Sequence, residues 1–190
     1  MMQSIVAFVG VSGVGKSTLL KKLSECCAFQ HLQASALIAE MRSAEGVAKS
    51  SSDHLRLANI DENQELLTRA FHVKRNPEIS LIIIDGHTLI DTPSGLIDIG
   101  APVFAELGVT QFVFLADDPQ SIFERRLRDQ TRNRPKRSVE ELDHQQTQAL
   151  LSAFRASVQL NVPLQVFTPS QFDAIREAME IAGQVSTKYG

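Results

Sequence analysis

Residues 10–17, with the sequence GVSGVGKS, have the residue types and the spacing of a phosphate-binding loop, here called the phosphate loop. They satisfy every fixed position of the pattern G-x-x-x-x-G-K-[ST]. Glycines allow the backbone to curve around an anion with its N–H groups pointing inward, and the N-terminus of a following helix adds a partial positive charge. The pattern therefore predicts a nucleoside-triphosphate site. Its candidate nucleotide-binding residues are Gly10, Ser12, Gly13, Val14, Gly15, Lys16, Ser17 and Thr18.

Four side chains in two motifs are candidates for the chemistry. Lys16 can reach the β- and γ-phosphates, and the Ser17 hydroxyl can ligate Mg²⁺. Asp85 follows four apolar residues, 81–84, which predict a buried parallel strand with the carboxylate at its C-terminal end. We therefore predict Lys16 and Asp85 as catalytic residues and Ser17 and Asp85 as metal ligands. His87 is a candidate substrate-binding residue, and a histidine bonded to a neighbouring carbonyl is an equally good interpretation.

The basic segment 125–137 is a further candidate. Such a run is usually a solvated face and sometimes a nucleic-acid patch, but the net charge of −3 argues against nucleic acid. In an enzyme that handles phosphate, arginines on a short mobile loop can close over the transferring phosphoryl group and stabilise its charge. We predict this role for Arg126, Arg132 and Arg134. Arg137, further along the loop, is expected to tolerate alanine.

The elements that must position these residues alternate between strands and helices, the pattern of a parallel sheet covered on both faces. The first strand, 5–9, leads into the phosphate loop and the first helix. The polar segment 42–59 is interpreted as a mobile excursion, and 91–102 as a loop with defined turns. Further predicted strands are 29–33, 81–85, 111–116 and 164–167, and further predicted helices are 34–41, 61–74, 119–129, 138–160 and 170–186.

Length and composition favour one globular domain, 1–190, with an ample core, since 43% of the residues are hydrophobic. No apolar run approaches the ~20 residues of a membrane span. The first strand begins too early to leave room for a signal peptide. Cys26 and Cys27 are expected to point apart as small packing residues on a helix, and not to form a disulfide or a metal site. These features predict a reducing, cytoplasmic setting.

Several motifs resemble those of the nucleoside monophosphate kinases, most closely those of the archaeal-type adenylate kinases. Asp85-Gly86-His87 is similar to that group's Asp-Thr-His, and residues 92–95 to its Thr-Pro-Lys/Ser-Gly. Residues 125–134 are similar to its Arg-Arg-Leu-x-Asp-Glu-Thr-Arg-x-Arg, and His144-Gln145 to its His-Gln. The resemblance covers most of the chain and is most specific between residues 81 and 145.

The resemblance implies a P-loop NTPase fold: a three-layer α/β/α arrangement around a five-stranded parallel sheet. It also implies a nucleotide-acceptor excursion at about 34–75 and a short lid at about 129–138. Its implied activity is phosphoryl transfer from ATP, with Mg²⁺, to a small acceptor such as AMP. Arg56 resembles a residue of the acceptor-binding segment and is a candidate substrate-binding residue.

Two departures from the family's pattern concern the acceptor. Asp91 stands where the family often has a lysine or arginine, and Ala149 where it has an arginine. Each departure removes a cation that could hold phosphate, and Asp91 adds an anion.

Two alternative functions therefore stay open. One is a small-metabolite kinase of the same fold, in which Asp85 orients or deprotonates an acceptor hydroxyl. The other is an ATP-driven switch or assembly factor, in which residues 42–59 serve a protein partner.

Overall fold

The computed structural model describes residues 3–44, 60–92, 94–129 and 134–188 of the chain. The described strands are β1 (Ser4–Val9), β2 (Gln30–Gln33), β3 (Leu81–Asp85), β4 (Leu89–Thr92), β5 (Gly95–Asp98), β6 (Gln111–Leu115) and β7 (Leu164–Phe167). The described helices are α1 (Lys16–Leu23), α2 (Ala34–Ala44), α3 (Ile60–Lys74), α4 (Ala101–Glu106), α5 (Pro119–Arg128), α6 (Val139–Leu160) and α7 (Phe172–Lys188). None of these helices is both long and apolar enough to cross a membrane.

Five strands lie side by side in the order β2, β3, β1, β6, β7, and each neighbouring pair is parallel. The apolar residues of β1 and β3 are all buried, as expected for a parallel sheet covered on both faces. Phe8 of β1 lies opposite Asp85 of β3. Because parallel strands end at the same edge of the sheet, the phosphate loop after β1 and the Asp85 carboxylate are neighbours. The predicted five-stranded parallel sheet is confirmed.

Helix α6 begins at Val139, one residue after the predicted start at 138, and a capping box formed by Ser138 and Glu141 precedes its first turn. Ser138 Oγ accepts a hydrogen bond from the backbone N–H of Glu141 at 3.2 Å, and Glu141 Oε2 accepts one from the backbone N–H of Ser138 at 2.7 Å. These reciprocal bonds satisfy N–H groups that have no partner inside the helix. The cap ends the basic segment and leaves Arg137 immediately before it.

The prediction of a loop at 91–102 is wrong for most of the segment. β4 and β5 form a two-stranded antiparallel sheet in which Ile90 lies opposite Ile97, and α4 begins at Ala101. Each of the two strands has only four residues. Glycine and proline are frequent in this segment and predict turns. Strands of four residues show too little alternation between apolar and polar residues to outweigh that prediction.

The predicted acceptor excursion is described only at its two ends. Here α2 packs against α3, and Arg42 Nη2 donates a hydrogen bond to Asn63 Oδ1 at 2.9 Å. Residues 45–59, which include Arg56, lie outside the described residues. The substrate-binding role of Arg56 therefore stays a prediction.

The two cysteines lie in the turn after α1 and not in the helix itself. Cys27 packs against the core, Cys26 is exposed, and their Sγ atoms are 3.9 Å apart. The expectation that the two side chains point apart is wrong, because it assumed helical geometry at both residues. Burial raises the pKa of the Cys27 thiol to about 11, and contact with the Cys26 thiol adds to this rise. Cys27 is therefore a protonated thiol at neutral pH.

Candidate active site

A cleft of about 290 Å³ opens where β1, β2 and β3 end. Three parts of the chain form it: the phosphate loop with the first turn of α1, the ends of β2 and β3, and three residues of the basic segment, Arg125, Asp129 and Arg134. Its lining residues are Val11, Ser12, Gly13, Gly15, Lys16, Ser17, Thr18, Gln33, Asp85, His87, Arg125, Asp129 and Arg134. Residues from motifs that are far apart in the sequence thus share one cavity.

The path of the phosphate loop depends on glycine at two positions. A Cβ atom at Gly10 would lie 2.5 Å from the backbone oxygen of Leu115 in β6, so the loop can leave β1 this close to its neighbour only with glycine. At Gly13, φ is 88° and a Cβ atom would lie 2.9 Å from Cγ of Arg126. Gly10 and Val14 do not line the cleft, and the Val14 side chain is fully buried in the core. Both residues shape the loop, and their contact with nucleotide stays a prediction.

Lys16 lies against oxygen atoms at the base of the cleft. Its Nζ donates a hydrogen bond to the carbonyl oxygen of Gly10 at 2.9 Å and is 4.0 Å from Oδ1 of Asp85. The same carbonyl oxygen is 2.7 Å from Nδ1 of His87. Because a carbonyl oxygen only accepts, this contact requires the proton of His87 on Nδ1. His87 therefore donates to a neighbouring carbonyl, and because it also lines the cleft its substrate-binding role stays a prediction.

Asp85 is the buried carboxylate of the site. The residue is 6% exposed, and its Oδ2 is 3.7 Å from Nε2 of His31. Burial by itself would raise the pKa of Asp85, but polar contact with His31 and the positive charges of Lys16 and His87 more than offset it. The pKa of Asp85 is therefore lowered from its ordinary value, and the side chain is ionised at neutral pH.

The oxygen atoms of Ser17 and Asp85 fit a Mg²⁺ ion that is bound together with phosphate. Ser17 is exposed in the same cleft that the ionised Asp85 lines. Within the described residues, no group of three or more histidine, cysteine, aspartate or glutamate side chains could hold a metal ion. Mg²⁺ commonly binds through one or two carboxylates, with waters and substrate phosphates completing its octahedral shell. The donor set therefore fits Mg²⁺ that arrives with a nucleotide.

Two consecutive arginines of α5 hold the phosphate loop by its carbonyl oxygens. Arg125 Nη1 donates to the carbonyl of Val14 at 2.7 Å, and Arg126 Nε donates to the carbonyl of Ser12 at 2.8 Å. Arg126 Nη2 also donates to Oε1 of the buried Gln145 at 3.2 Å. Arg125 lines the cleft, whereas Arg126 does not. Arg126 thus positions the loop, and its role as a clamp on the transferring group stays a prediction.

Arg134 lies in the cleft, and its side chain is only 8% exposed. Its Nη2 donates to Oδ2 of Asp129 at 2.5 Å. Among the described residues, neither its buried Nε nor the buried Oγ of Ser12 has a hydrogen-bond partner. Such buried donors usually have a partner in a folded protein. Arg132, the third predicted clamp, lies outside the described residues and stays a prediction.

Arg137 and Asp91 form an ion pair, which bears on the expected tolerance of Arg137 to alanine and on the expected anion at Asp91. Arg137 Nη2 donates to Oδ1 of Asp91 at 2.9 Å, and Asp91 is 5% exposed. This hydrogen bond and the charge of Asp91 raise the pKa of Arg137 above its ordinary value. Asp91 does not add an uncompensated anion to the acceptor site, because Arg137 neutralises it. Arg137 therefore has a structural role: its ion pair with Asp91 joins the end of the basic segment to the β4–β5 hairpin.

Replacing Arg137 by alanine is therefore expected to lower the free energy of unfolding by about 2–3 kcal/mol, because the buried Asp91 carboxylate loses its partner. The double variant Asp91→Asn/Arg137→Ala should recover part of this loss, since no buried charge remains. Unfolding in urea measures both effects. A loss below about 0.5 kcal/mol for the single variant, the usual size at exposed positions, would contradict the buried pair.

Some residues of the site carry no strong sequence signal. His31 and Gln33 belong to β2, and Gln33 lies opposite Asp85 in the sheet register. No motif marks them; only knowledge that β2 pairs with β3 could have placed them beside Asp85. Arg125 and Asp129 do lie inside the basic motif, and that motif could have marked them as site residues.

Comparison with known proteins agrees with this geometry. A family model described as an AAA domain matches residues 9–143. The adenylate kinase of Methanothermobacter thermautotrophicus is 29% identical over 146 residues, which cover 75% of this chain and 78% of that protein. The expected resemblance to archaeal-type adenylate kinases is thereby confirmed.

Two solved structures share the fold. One is a gluconokinase from Sinorhizobium meliloti 1021, with a TM-score of 0.51 over 97% of this chain and 94% of its own. The other is a shikimate kinase from Bacteroides thetaiotaomicron, with a TM-score of 0.52 over 96% of this chain and 95% of its own. Both are 19% identical in sequence, so the likeness concerns the fold alone.

Proposed function

We propose that this chain, which belongs to the AAA domain family, is an ATP-dependent kinase. It would transfer the γ-phosphoryl group of ATP to a small acceptor. Nucleoside monophosphates such as AMP are the first candidates for that acceptor. The observation that carries this proposal is the single cleft that the phosphate loop shares with Asp85, His87 and Arg134. Similarity to a protein named adenylate kinase over three quarters of the chain supports it. Phosphoryl transfer needs positioned substrates and neutralised charge more than covalent help from the protein.

The donor phosphates would lie along the phosphate loop at the N-terminus of α1. There the backbone N–H groups and the helix dipole favour anionic oxygen atoms. Lys16 adds a cation that is already largely removed from water, so its attraction for phosphate is stronger than at an exposed position. Arg125 and Arg126 hold loop carbonyls in place, which preserves the shape of the loop before the nucleotide arrives.

The remaining residues would serve the transfer itself. Mg²⁺, when bound, neutralises charge on the β- and γ-phosphates, and Ser17 and Asp85 would hold it. Arg134 would bind the transferring phosphoryl group, since its buried Nε has no acceptor among the described residues. His87 would contact the acceptor through Nε2, because Nδ1 is engaged by a backbone carbonyl.

A hydroxylated metabolite without a phosphate group is a second candidate acceptor, and two positions favour it. Asp91 is neutralised by Arg137, and Ala149 is buried with its carbonyl accepting a hydrogen bond from Thr88 Oγ1 at 2.8 Å. Neither position supplies a cation for an acceptor phosphate. One lost charge-assisted contact costs about 1.5–3 kcal/mol, or about tenfold or more in affinity.

A coupled assay of ADP release, with AMP, other nucleoside monophosphates and hydroxylated metabolites offered in turn, tests the proposal. The phosphorylated product is identified by mass spectrometry. Acceptor-dependent ADP release with a matching product supports a kinase and names its acceptor. Slow ADP release that no acceptor stimulates, but that a protein partner does, would contradict the kinase and support an ATP-driven switch.

Asp85→Asn should lower kcat by about tenfold or more while changing ATP affinity less, because the amide keeps the shape but not the charge. A purely structural aspartate predicts a lowered melting temperature with nearly normal turnover, and both quantities can be measured on one preparation.

The lowered pKa of Asp85 also predicts how stability depends on pH. In the wild type, the ionised carboxylate stabilises the fold fully above its ordinary pKa of about 4. This contribution is lost as the pH falls through the folded-state pKa, and the variant lacks it.

A further inference from the structure

Two neighbouring glutamines of α6 lie behind the two arginines that hold the phosphate loop. The first, Gln145, is 5% exposed, and its Oε1 accepts a hydrogen bond from Nη2 of Arg126 at 3.2 Å. Nε of the same guanidinium donates to the carbonyl oxygen of Ser12 at 2.8 Å. Arg126 is therefore held at two nitrogen atoms, by α6 on one side and by the loop on the other.

The second glutamine, Gln146, supports the other arginine through Asp117. Its Oε1 accepts a hydrogen bond from the backbone N–H of Asp117 at 3.0 Å, and its Nε2 donates to the backbone carbonyl of the same residue at 2.9 Å. The Asp117 carboxylate pairs with Nη2 of Arg125, and Nη1 of Arg125 donates to the carbonyl oxygen of Val14 at 2.7 Å. A second chain of contacts thus runs from α6 to the loop.

The two chains end on either side of Gly13, where φ is 88°. Glycine adopts many backbone conformations with similar ease, so the local sequence does not fix the path of the loop at this point. The carbonyls of Ser12 and Val14 share planar peptide units with the N–H groups of Gly13 and Gly15, and in a trans peptide the two groups point in opposite directions. Holding each carbonyl therefore also fixes the direction of an N–H group that belongs to a residue lining the cleft.

We propose that Gln145 and Gln146 are positioning residues for the donor nucleotide. By holding the two arginines, they set the direction in which the N–H groups of Gly13 and Gly15 point, and with it the affinity of the loop for phosphate. Neither glutamine lines the cleft, so each acts only through its arginine. This inference rests on the proposed function for the identity of the nucleotide.

A double-mutant cycle on nucleotide affinity tests the inference without turnover. Gln145→Leu keeps the approximate size of the side chain but removes the hydrogen-bond acceptor. Titration with a non-hydrolysable ATP analogue and Mg²⁺ in a calorimeter should show binding about fivefold weaker than in the wild type. In an Arg126→Ala background the same substitution should change the affinity by less than about twofold, because the contact that it removes is already absent.

Gln146→Ala, compared in the wild type and in an Arg125→Ala background, gives the same test for the second chain. Gln146 is half-buried, so this variant does not depend on whether Gln145→Leu folds. The matched control is Gln159→Ala, at an exposed position of α6 away from the cleft, which should leave the affinity within about twofold of the wild type.

Equal weakening in both backgrounds, or weakening in neither, would overturn the positioning role of that glutamine, since a general loss of stability acts in both. Phosphoryl transfer by the wild type tests the proposed function separately. If the wild type phosphorylates an acceptor but the cycles show no coupling, only the inference about the glutamines fails. If no acceptor is phosphorylated but the cycles show the expected coupling, the kinase proposal fails and the positioning role stands.

Discussion

Lys16→Ala is expected to lower phosphoryl transfer by about 10³-fold or more and to weaken ATP binding. The Lys16 ammonium lies at the base of the cleft, 4.0 Å from Asp85, and is the cation that we predict to reach the donor phosphates. Its loss removes a close, largely desolvated charge from a polyanion. The variant should still fold but lose some stability, because Lys16 is buried and its Nζ lies 4.0 Å from the buried carboxylate of Asp85. The measurements are kcat from ADP release and ATP affinity from calorimetry.

Lys21→Ala provides the matched control for this substitution. Lys21 is exposed on the same helix and does not line the cleft, so its loss should leave turnover and ATP affinity unchanged. Normal turnover in a folded Lys16→Ala protein would remove the basis for a donor site in the phosphate loop.

Arg134→Ala should lower kcat by about 10²-fold, because its buried guanidinium would stabilise the charge of the transferring phosphoryl group. Arg134→Lys should restore only part of the rate, since an ammonium group cannot reproduce the planar fork of a guanidinium. Stability should change little: the partner carboxylate, Asp129, is 32% exposed and can be solvated by water. Single-turnover rates and melting temperatures separate the two effects.

Arg128→Ala tests whether any arginine of this segment would have the same effect. Its side chain is 75% exposed and pairs only with Glu124 one helical turn away among the described ion pairs. It should therefore leave both rate and stability close to those of the wild type. If Arg134→Ala matches Arg128→Ala in rate, the basic segment is a solvated face and Arg134 has no part in transfer.

Features that depend on contiguous residues could be predicted from the sequence. The phosphate loop, the buried strand that ends in Asp85 and the capping box at Ser138 each arise from residue types at fixed local spacings. Glycine geometry, apolar runs and side-chain caps act within a few residues of the chain. The five-stranded parallel sheet follows from the alternation of such segments. The β4–β5 hairpin was not predicted from the sequence, because its strands are too short to show an alternation of apolar and polar residues.

Contacts between distant segments were decided only by the tertiary structure. The sequence motif does not distinguish Arg125 from Arg126, yet only Arg125 lines the cleft. Asp91 and Arg137 are 46 residues apart, and only the packing of the hairpin against α6 makes them partners. His31 meets Asp85 because β2 pairs with β3. The physical reason is common to all three: the charge, burial and role of a side chain depend on neighbours that sheet order and helix packing supply, and no local spacing encodes them.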